Sequence, residues 1–401
     1  MAEAPARTWR LAILLAGLAM LGPMSVDAYL PAFHAIGEDL DAPQLAVQQT
    51  LSVYLFTYAF MMLWHGAVAD ALGRRPVVIV SLVLYAVATL GCAIAGNIET
   101  LWLFRALQGV CAGAGLVVGR AVIRDRFHGA EAQRLMARIT LVFGIAPAIA
   151  PVLGGVLLNT MGWRSIFWAL LAAVVALLIW SLRSFPETLP VPARQSLAPS
   201  KLWRNYSTVL RHPDFLLLAS VPALNFAAFF LYVACAPIFL IDMLGVSTYG
   251  FAWLFMPMIL GIMLGAAISG RMAGRLSPAR TVRLGYVLMF SGVAFNFLVV
   301  WFVAPGVPWH VLPIMLFTTG SAVAAPSIML LLLDLFPTMR GLASSLQGFF
   351  HFALAALNAG TIAPLLAHSL QALALGMAGF TLASLCLWLI YQRRVHAHAT
   401  P

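Results

Sequence analysis

Gly66-Ala67-Val68-Ala69-Asp70-Ala71-Leu72-Gly73-Arg74-Arg75 sets one acid and two adjacent arginines between two apolar runs, residues 44 to 68 and 76 to 96. Each run is long enough to cross a bilayer, which takes about 20 apolar residues. Charges this compact fit the point where one helix leaves hydrocarbon and the next re-enters it. The two glycines permit the sharp reversal and close backbone approach that so short a gap demands. Further apolar runs cover residues 10 to 30, 100 to 122, 135 to 158, 163 to 182, 215 to 240, 249 to 270, 281 to 303, 309 to 335, 341 to 366 and 370 to 391. The sequence thus predicts an all-α membrane protein of twelve transmembrane helices. Composition agrees: 62% hydrophobic and 9% charged residues leave too little polar surface to cover a water-soluble globule.

Basic residues set the expected orientation. With the N-terminus inside, Arg74 and Arg75, Arg120 to Arg138, Arg183 to Arg211, Arg271 to Arg283, Arg340, Arg393 and Arg394 all fall on the cytoplasmic side, together with Arg7 and Arg10. Of 23 Lys and Arg residues only Arg105, within a span, and Arg164, outside, are left over. That asymmetry is the positive-inside signal and places both termini in the cytoplasm. The outward loops carry Glu38, Asp39, Asp41, Glu99 and Asp242 instead. The formal charge of +10 is therefore a sidedness signal, and no nucleic-acid partner is expected. The first run follows Arg7 and Arg10 as a signal peptide would, but no Ala-x-Ala-like site precedes Asp27, so it reads as a retained span. Cys92, Cys111, Cys235 and Cys386 have no metal-ligand spacing and read as small hydrophobes.

The longest polar stretch, from about Ser184 to Asp214, holds Pro186, Pro190, Pro192, Pro199 and Pro213. It divides the chain into a six-helix bundle at 1–184, a cytoplasmic linker at 185–213 and a second six-helix bundle at 214–401. Gly270-Arg271-Met272-Ala273-Gly274-Arg275-Leu276 echoes the opening loop at the equivalent place in the second half, with Gly274 where the acid stood.

Asp27 lies well inside the first run, in Gly22-Pro23-Met24-Ser25-Val26-Asp27-Ala28-Tyr29-Leu30-Pro31-Ala32. An ionised carboxylate at that depth costs roughly 2.5 to 3.5 kcal/mol, and packing does not need it. It reads as a carboxyl that binds a proton at one face of the membrane and releases it at the other. The competing reading is a helix-end aspartate at the outer interface. Arg105, in Leu103-Phe104-Arg105-Ala106-Leu107-Gln108-Gly109, is the one basic residue inside a span. It must be paired or hydrogen-bonded, with Gln108, helix-end carbonyls and Asp27 as candidate partners. The fifth run reads Gly144-Ile145-Ala146-Pro147-Ala148-Ile149-Ala150-Pro151-Val152-Leu153-Gly154-Gly155. Its prolines bend the helix and its paired glycines admit a close neighbour. Ala150, before the second proline, is expected to hold that neighbour off slightly.

These segments carry a resemblance to the major facilitator superfamily. The opening loop is similar to that family's Gly-x-Leu-x-Asp-x-x-Gly-Arg-Arg/Lys signature, departing at Ala71, where a basic residue is usual. Arg105-Ala106-Leu107-Gln108-Gly109 resembles its Arg-x-x-Gln-Gly signature, and Pro151 to Gly155 resembles the Gly-Pro-x-x-Gly-Gly end of the exporters' antiporter motif. With Asp27-Ala28-Tyr29-Leu30-Pro31-Ala32 and Arg340-Gly341-Leu342-Ala343-Ser344-Ser345-Leu346-Gln347-Gly348, the set resembles the Bcr/CflA drug:proton antiporters, which export bicyclomycin and phenicols. The resemblance implies the major facilitator fold in a bacterial inner membrane and proton-coupled efflux of small amphipathic drugs by alternating access. It makes Asp27 the proton and substrate acid, Arg105 its coupled partner, and Gly66, Asp70, Gly73, Arg74 and Arg75 the gate loop. An uptake symporter, or an exporter of a metabolite, on the same fold is the alternative.

Tyr29, Tyr54, Tyr58, Gln108, Asn225, Phe229 and Tyr232 are the candidate cavity residues, an adaptable apolar and aromatic set with few fixed hydrogen bonds. An enzyme is disfavoured: His-Glu-x-x-His and Gly-x-Ser-x-Gly are absent, and the only lysine, Lys201, sits outside any phosphate-binding loop. No cofactor or metal is expected, and the chain is expected to work as a monomer.

Overall fold

A computed structural model describes residues 5–127, 129–194, 199–337 and 339–399. Every regular element among the described residues is a helix, and twelve helical stretches are long and apolar enough to cross a membrane. In a bilayer every backbone polar group must be satisfied within the chain, and a helix does this segment by segment. Two compact units make up the chain, Met1–Ala198 and Pro199–Pro401, here unit 1 and unit 2.

Unit 1 opens with α1 (Pro5–Asp27), which stops at the acid. A single 3₁₀ turn, Leu30–Ala32, with Pro31 in its first positions, leads into α2 (Phe33–Asp39). The first span therefore runs on to Asp39, nine residues past the expected end at 30, and leaves Asp27 at a break inside it. Then follow α3 (Gln44–Leu72), α4 (Arg74–Ala93), α5 (Ile98–Ala112), α6 (Ala114–Arg126), α7 (Gly129–Met161) and α8 (Arg164–Ser184). The fourth span is α5 and α6 together, interrupted at Gly113. α1 packs on α7, α3 on α5, and α4 on both α5 and α8.

Unit 2 consists of α9 (Pro199–Leu210), α10 (Pro213–Ala234), α11 (Ala252–Met272), α12 (Pro278–Phe302), α13 (Leu312–Asp334), α14 (Arg340–Leu357), α15 (Ala363–Leu366) and α16 (Leu370–Ala399). π-helical turns lie at Ile238–Met243, beyond the end of α10, and at Asn358–Ile362, between α14 and α15. α13 packs against both α11 and α12, and α10 against α14 and α16. Polar ties cross these contacts. Asn296 donates to the Tyr232 hydroxyl at 2.6 Å, Tyr286 and Ser384 share a 2.7 Å bond, and Asn358 donates to the Ala227 carbonyl at 2.8 Å.

Candidate functional site

Arg105 is the largest fully buried side chain in unit 1, at 0% exposure. α5 points it at the broken end of α1. One terminal nitrogen donates to the Ser25 carbonyl at 3.0 Å and to Gln108 Oε1 at 2.9 Å. The guanidinium lies between the rings of Tyr29, 4.5 Å from its centroid, and Tyr54, at 4.4 Å. A planar cation held over two aromatic faces gains from both ring quadrupoles, more so without water. Nε and Nη2 have no partner. Of the partners expected from the sequence, Gln108 and a helix-end carbonyl are engaged. Among the described residues no ion pair joins Arg105 to Asp27.

Polar side chains complete the shell. Gln108 Nε2 donates to Thr89 Oγ1 at 2.8 Å, and Thr89 donates to the Tyr85 carbonyl at 2.7 Å. The hydroxyls of Ser25 and Tyr85 are hydrogen-bonded, as are those of Tyr29 and Thr50. Tyr54 donates to the Gly22 carbonyl at 3.1 Å, and Tyr58 stacks on Tyr54. Asp27, 5% exposed, sits two residues beyond the carbonyl that Arg105 holds. The site is thus a buried cation in a cage of neutral oxygens and phenols. A buried charge left uncompensated is costly, so such a cage has a standing preference for an anion or strong acceptor.

The prolines of the fifth span, Pro147 and Pro151, lie inside α7. Gly154 faces the break after α1, where a Cβ would overlap the Ala28 carbonyl beside Asp27. Glycine is required there because backbone meets backbone. Ala150, before the second proline, is fully buried. A Cβ added at Gly144 would meet nothing within 4 Å, and the Gly155 carbonyl accepts from Asn159 at 2.6 Å.

The Gly66 loop forms a separate charged cluster. Gly73 turns with φ +104°, a left-handed conformation open to glycine. Arg74 is 6% exposed and bonds Asp70 at 2.5 Å and Asp125, on α6, at 3.2 Å. Glu187 reaches in from beyond α8: its two oxygens accept from the backbone N–H of Arg74 at 3.0 Å and Arg75 at 3.2 Å. A carboxylate on the first N–H groups of α4 satisfies orphan donors and meets the positive end of the helix dipole. Thr188 donates to Asp125 at 2.7 Å, and Arg75 to the Leu182 carbonyl at 2.7 Å. Neither Asp125 nor Glu187 was singled out from the sequence. Asp125 is hidden between Arg124 and Arg126, and Glu187 lies in the proline-rich stretch read as linker. Ser25, Tyr85 and Thr89 were missed too, although polar residues within apolar runs were the signal that found Asp27.

Of the candidate cavity residues, Tyr29, Tyr54 and Gln108 gather at Arg105, with Tyr58 one ring further out. Asn225, Phe229 and Tyr232 belong to unit 2, where Asn225 is buried, Tyr232 accepts from Asn296, and Phe229 packs edge-to-face with Phe226 at 4.9 Å. A small cavity of about 10 Å³ in unit 1, lined by Leu18, Ser81, Tyr85, Cys111 and Gly115 among others, has room for about one water. Among the described residues no group of three His, Cys, Asp or Glu side chains is placed to hold a metal ion.

A family model described as Major Facilitator Superfamily matches residues 15–359. The chain is 34% identical over 286 residues to an uncharacterized MFS-type transporter, YdgK, of Bacillus subtilis (strain 168), covering 71% of each chain. It is 29% identical over 354 residues to the bicyclomycin resistance protein homolog of Haemophilus influenzae, covering 86% of this chain and 87% of that one. Among solved structures, the human organic anion transporter MFSD10 (TETRAN) superposes with a TM-score of 0.69 at 18% identity, over 96% of this chain and all of that one.

Proposed function

Since the chain belongs to the major facilitator superfamily, and is therefore a multi-pass membrane transporter and not an enzyme, we propose that it exports small amphipathic drugs from a bacterium in exchange for protons. The observation that carries this reading is the buried Arg105 with two unpartnered nitrogens, its Ser25 contact two residues from the buried carboxyl of Asp27. Protonated, Asp27 is a neutral group and costs little at depth. Deprotonated, it supplies the negative charge that the Arg105 cage lacks. A drug that displaces the proton would thus change the electrostatics at the end of α1, and alternating access would expose the same group to the two faces in turn.

Export over uptake is favoured by the resemblance of Pro151 to Gly155 in α7 to the exporters' antiporter motif, and Gly154 of that motif lies against the Ala28 carbonyl beside Asp27. The bicyclomycin resistance relative supports a drug as cargo. The excess of arginines on one side supports an inner-membrane protein with both termini cytoplasmic. The Asp70, Arg74, Asp125 and Glu187 cluster then lies on the cytoplasmic side and serves as the gate latch.

The test is counterflow in proteoliposomes, with and without a pH gradient, using a panel of antibiotics. One carboxyl exchanges one proton, so efflux of a neutral drug moves one charge inward and gains about 2.3 kcal/mol per 100 mV. Efflux of a monovalent cation is electroneutral. Neutral-drug efflux should respond to an imposed potential at constant pH, and cation efflux only to pH. Transport indifferent to both gradients would end this reading.

A further inference from the structure

The segment that begins unit 2 has a chemistry that membrane crossing does not use. α9 (Pro199–Leu210) packs on α10 and α14 through one side. Val209 is fully buried on that side, with Leu202 and Tyr206 half-buried near it. Burial pushes the Tyr206 hydroxyl up to about 12. The other side presents Trp203 at 75% exposure and Arg204, with Arg211 one residue past the helix end. Among the described residues neither arginine has an ion pair. An indole left in water wastes a large apolar surface, whereas tryptophan is enriched where a bilayer meets water. Arginines beside it, on the cytoplasmic side, face a leaflet that carries anionic headgroups.

We propose that α9 is an interfacial helix that docks the start of unit 2 onto anionic phospholipid, with Trp203 at headgroup depth and Arg204 and Arg211 on the lipid phosphates. The cytoplasmic placement rests on the topology proposed above; the lipid contact does not depend on proton coupling. The occupant is lipid because charge and aromatic surface are adjacent: a free phosphate would satisfy the arginines and leave the indole bare.

The full chain in detergent, equilibrated with equal amounts of phosphatidylglycerol and phosphatidylcholine and then exchanged into lipid-free detergent, should retain phosphatidylglycerol by about tenfold over phosphatidylcholine when retained lipid is counted by mass spectrometry. The double variant Arg204→Gln/Arg211→Gln should lose that preference, and Trp203→Ala should lower retention of both lipids. Arg280→Gln/Arg283→Gln removes the same charge elsewhere in unit 2 and should leave the preference intact. Equal loss in the two double variants would reduce the effect to bulk charge and overturn the proposal. Displacement of the lipid by millimolar inorganic phosphate would overturn it as well. Labelling of Ser200→Cys by a membrane-impermeant maleimide added from outside whole cells checks the side separately: no labelling is expected, and labelling would overturn the cytoplasmic placement alone. None of these readouts requires transport, so failed drug efflux would leave them standing.

Discussion

Both units are bundles of apolar helices, yet among the described residues only unit 1 buries charged side chains. Among the described residues its buried set includes Asp27, Arg74 and Arg105, whereas that of unit 2 holds amides, hydroxyls and a histidine but no Asp, Glu, Lys or Arg. Asn296 with Tyr232 and Asn358 with the Ala227 carbonyl are neutral ties, the kind that hold membrane helices together for about 1 kcal/mol or less. The loops repeat the contrast. Gly66 to Arg75 is braced by Asp70, Asp125 and Glu187, while Arg271 and Arg275 in the echo are exposed and have no ion pair among the described residues. Each unit packs its helices against one another, and the expensive groups lie in one of the two. The difference teaches that packing does not require the charges.

The largest effect expected from that contrast is at Asp27. Asp27→Asn, nearly isosteric but unable to release a proton, should abolish gradient-driven efflux in proteoliposomes while leaving yield and helicity unchanged. Asn296→Leu in unit 2 should leave efflux largely intact. Active transport by the Asp27 variant would collapse the contrast.

Arg105 comes next. Arg105→Ala should inactivate, and Arg105→Lys should remain impaired by about tenfold or more, because an ammonium is a point charge that cannot lie flat between two tyrosines. A lysine as active as arginine would replace the geometric role by a simple charge.

The loops give the smallest effects. Glu187→Gln loses a carboxylate at a part-exposed helix N-terminus, worth about 0.3–1 kcal/mol. If that contact favours one gate state, turnover should change about two- to fivefold at constant drug affinity, with Asp70→Asn acting in the same direction. Arg271→Gln/Arg275→Gln in the echo should do nothing measurable. A changed affinity at unchanged turnover would argue against a gate role for the cluster.

Much of this was legible in the sequence, because the bilayer imposes length and polarity on each helix and so writes itself into composition. The twelve runs, the depth of Asp27 and the isolation of Arg105 all follow from that constraint. What the sequence hid depends on backbone. The break after Asp27 hands the Ser25 carbonyl to Arg105, and carbonyls have no sequence code. The Gly154 contact with Ala28 depends on how α7 lies against α1. Glu187 was concealed by a different logic: a proline-rich stretch after a span reads as connector, and nothing local marks the helix end that one of its residues serves, 113 positions upstream.

That long-range cap bears on the order in which the chain is built. Span three enters the membrane with the first N–H groups of α4 lacking the carboxylate that will serve them, and the partner is synthesised only after span six. Completion of the first bundle is thereby tied to emergence of residues 185 to 194, and a bundle cut at 184 is left without its fastening. A fragment ending at residue 198 should resist proteolysis between Leu72 and Arg75 better than one ending at 184; equal cleavage of the two would mean that the first bundle closes without help from its own exit strand.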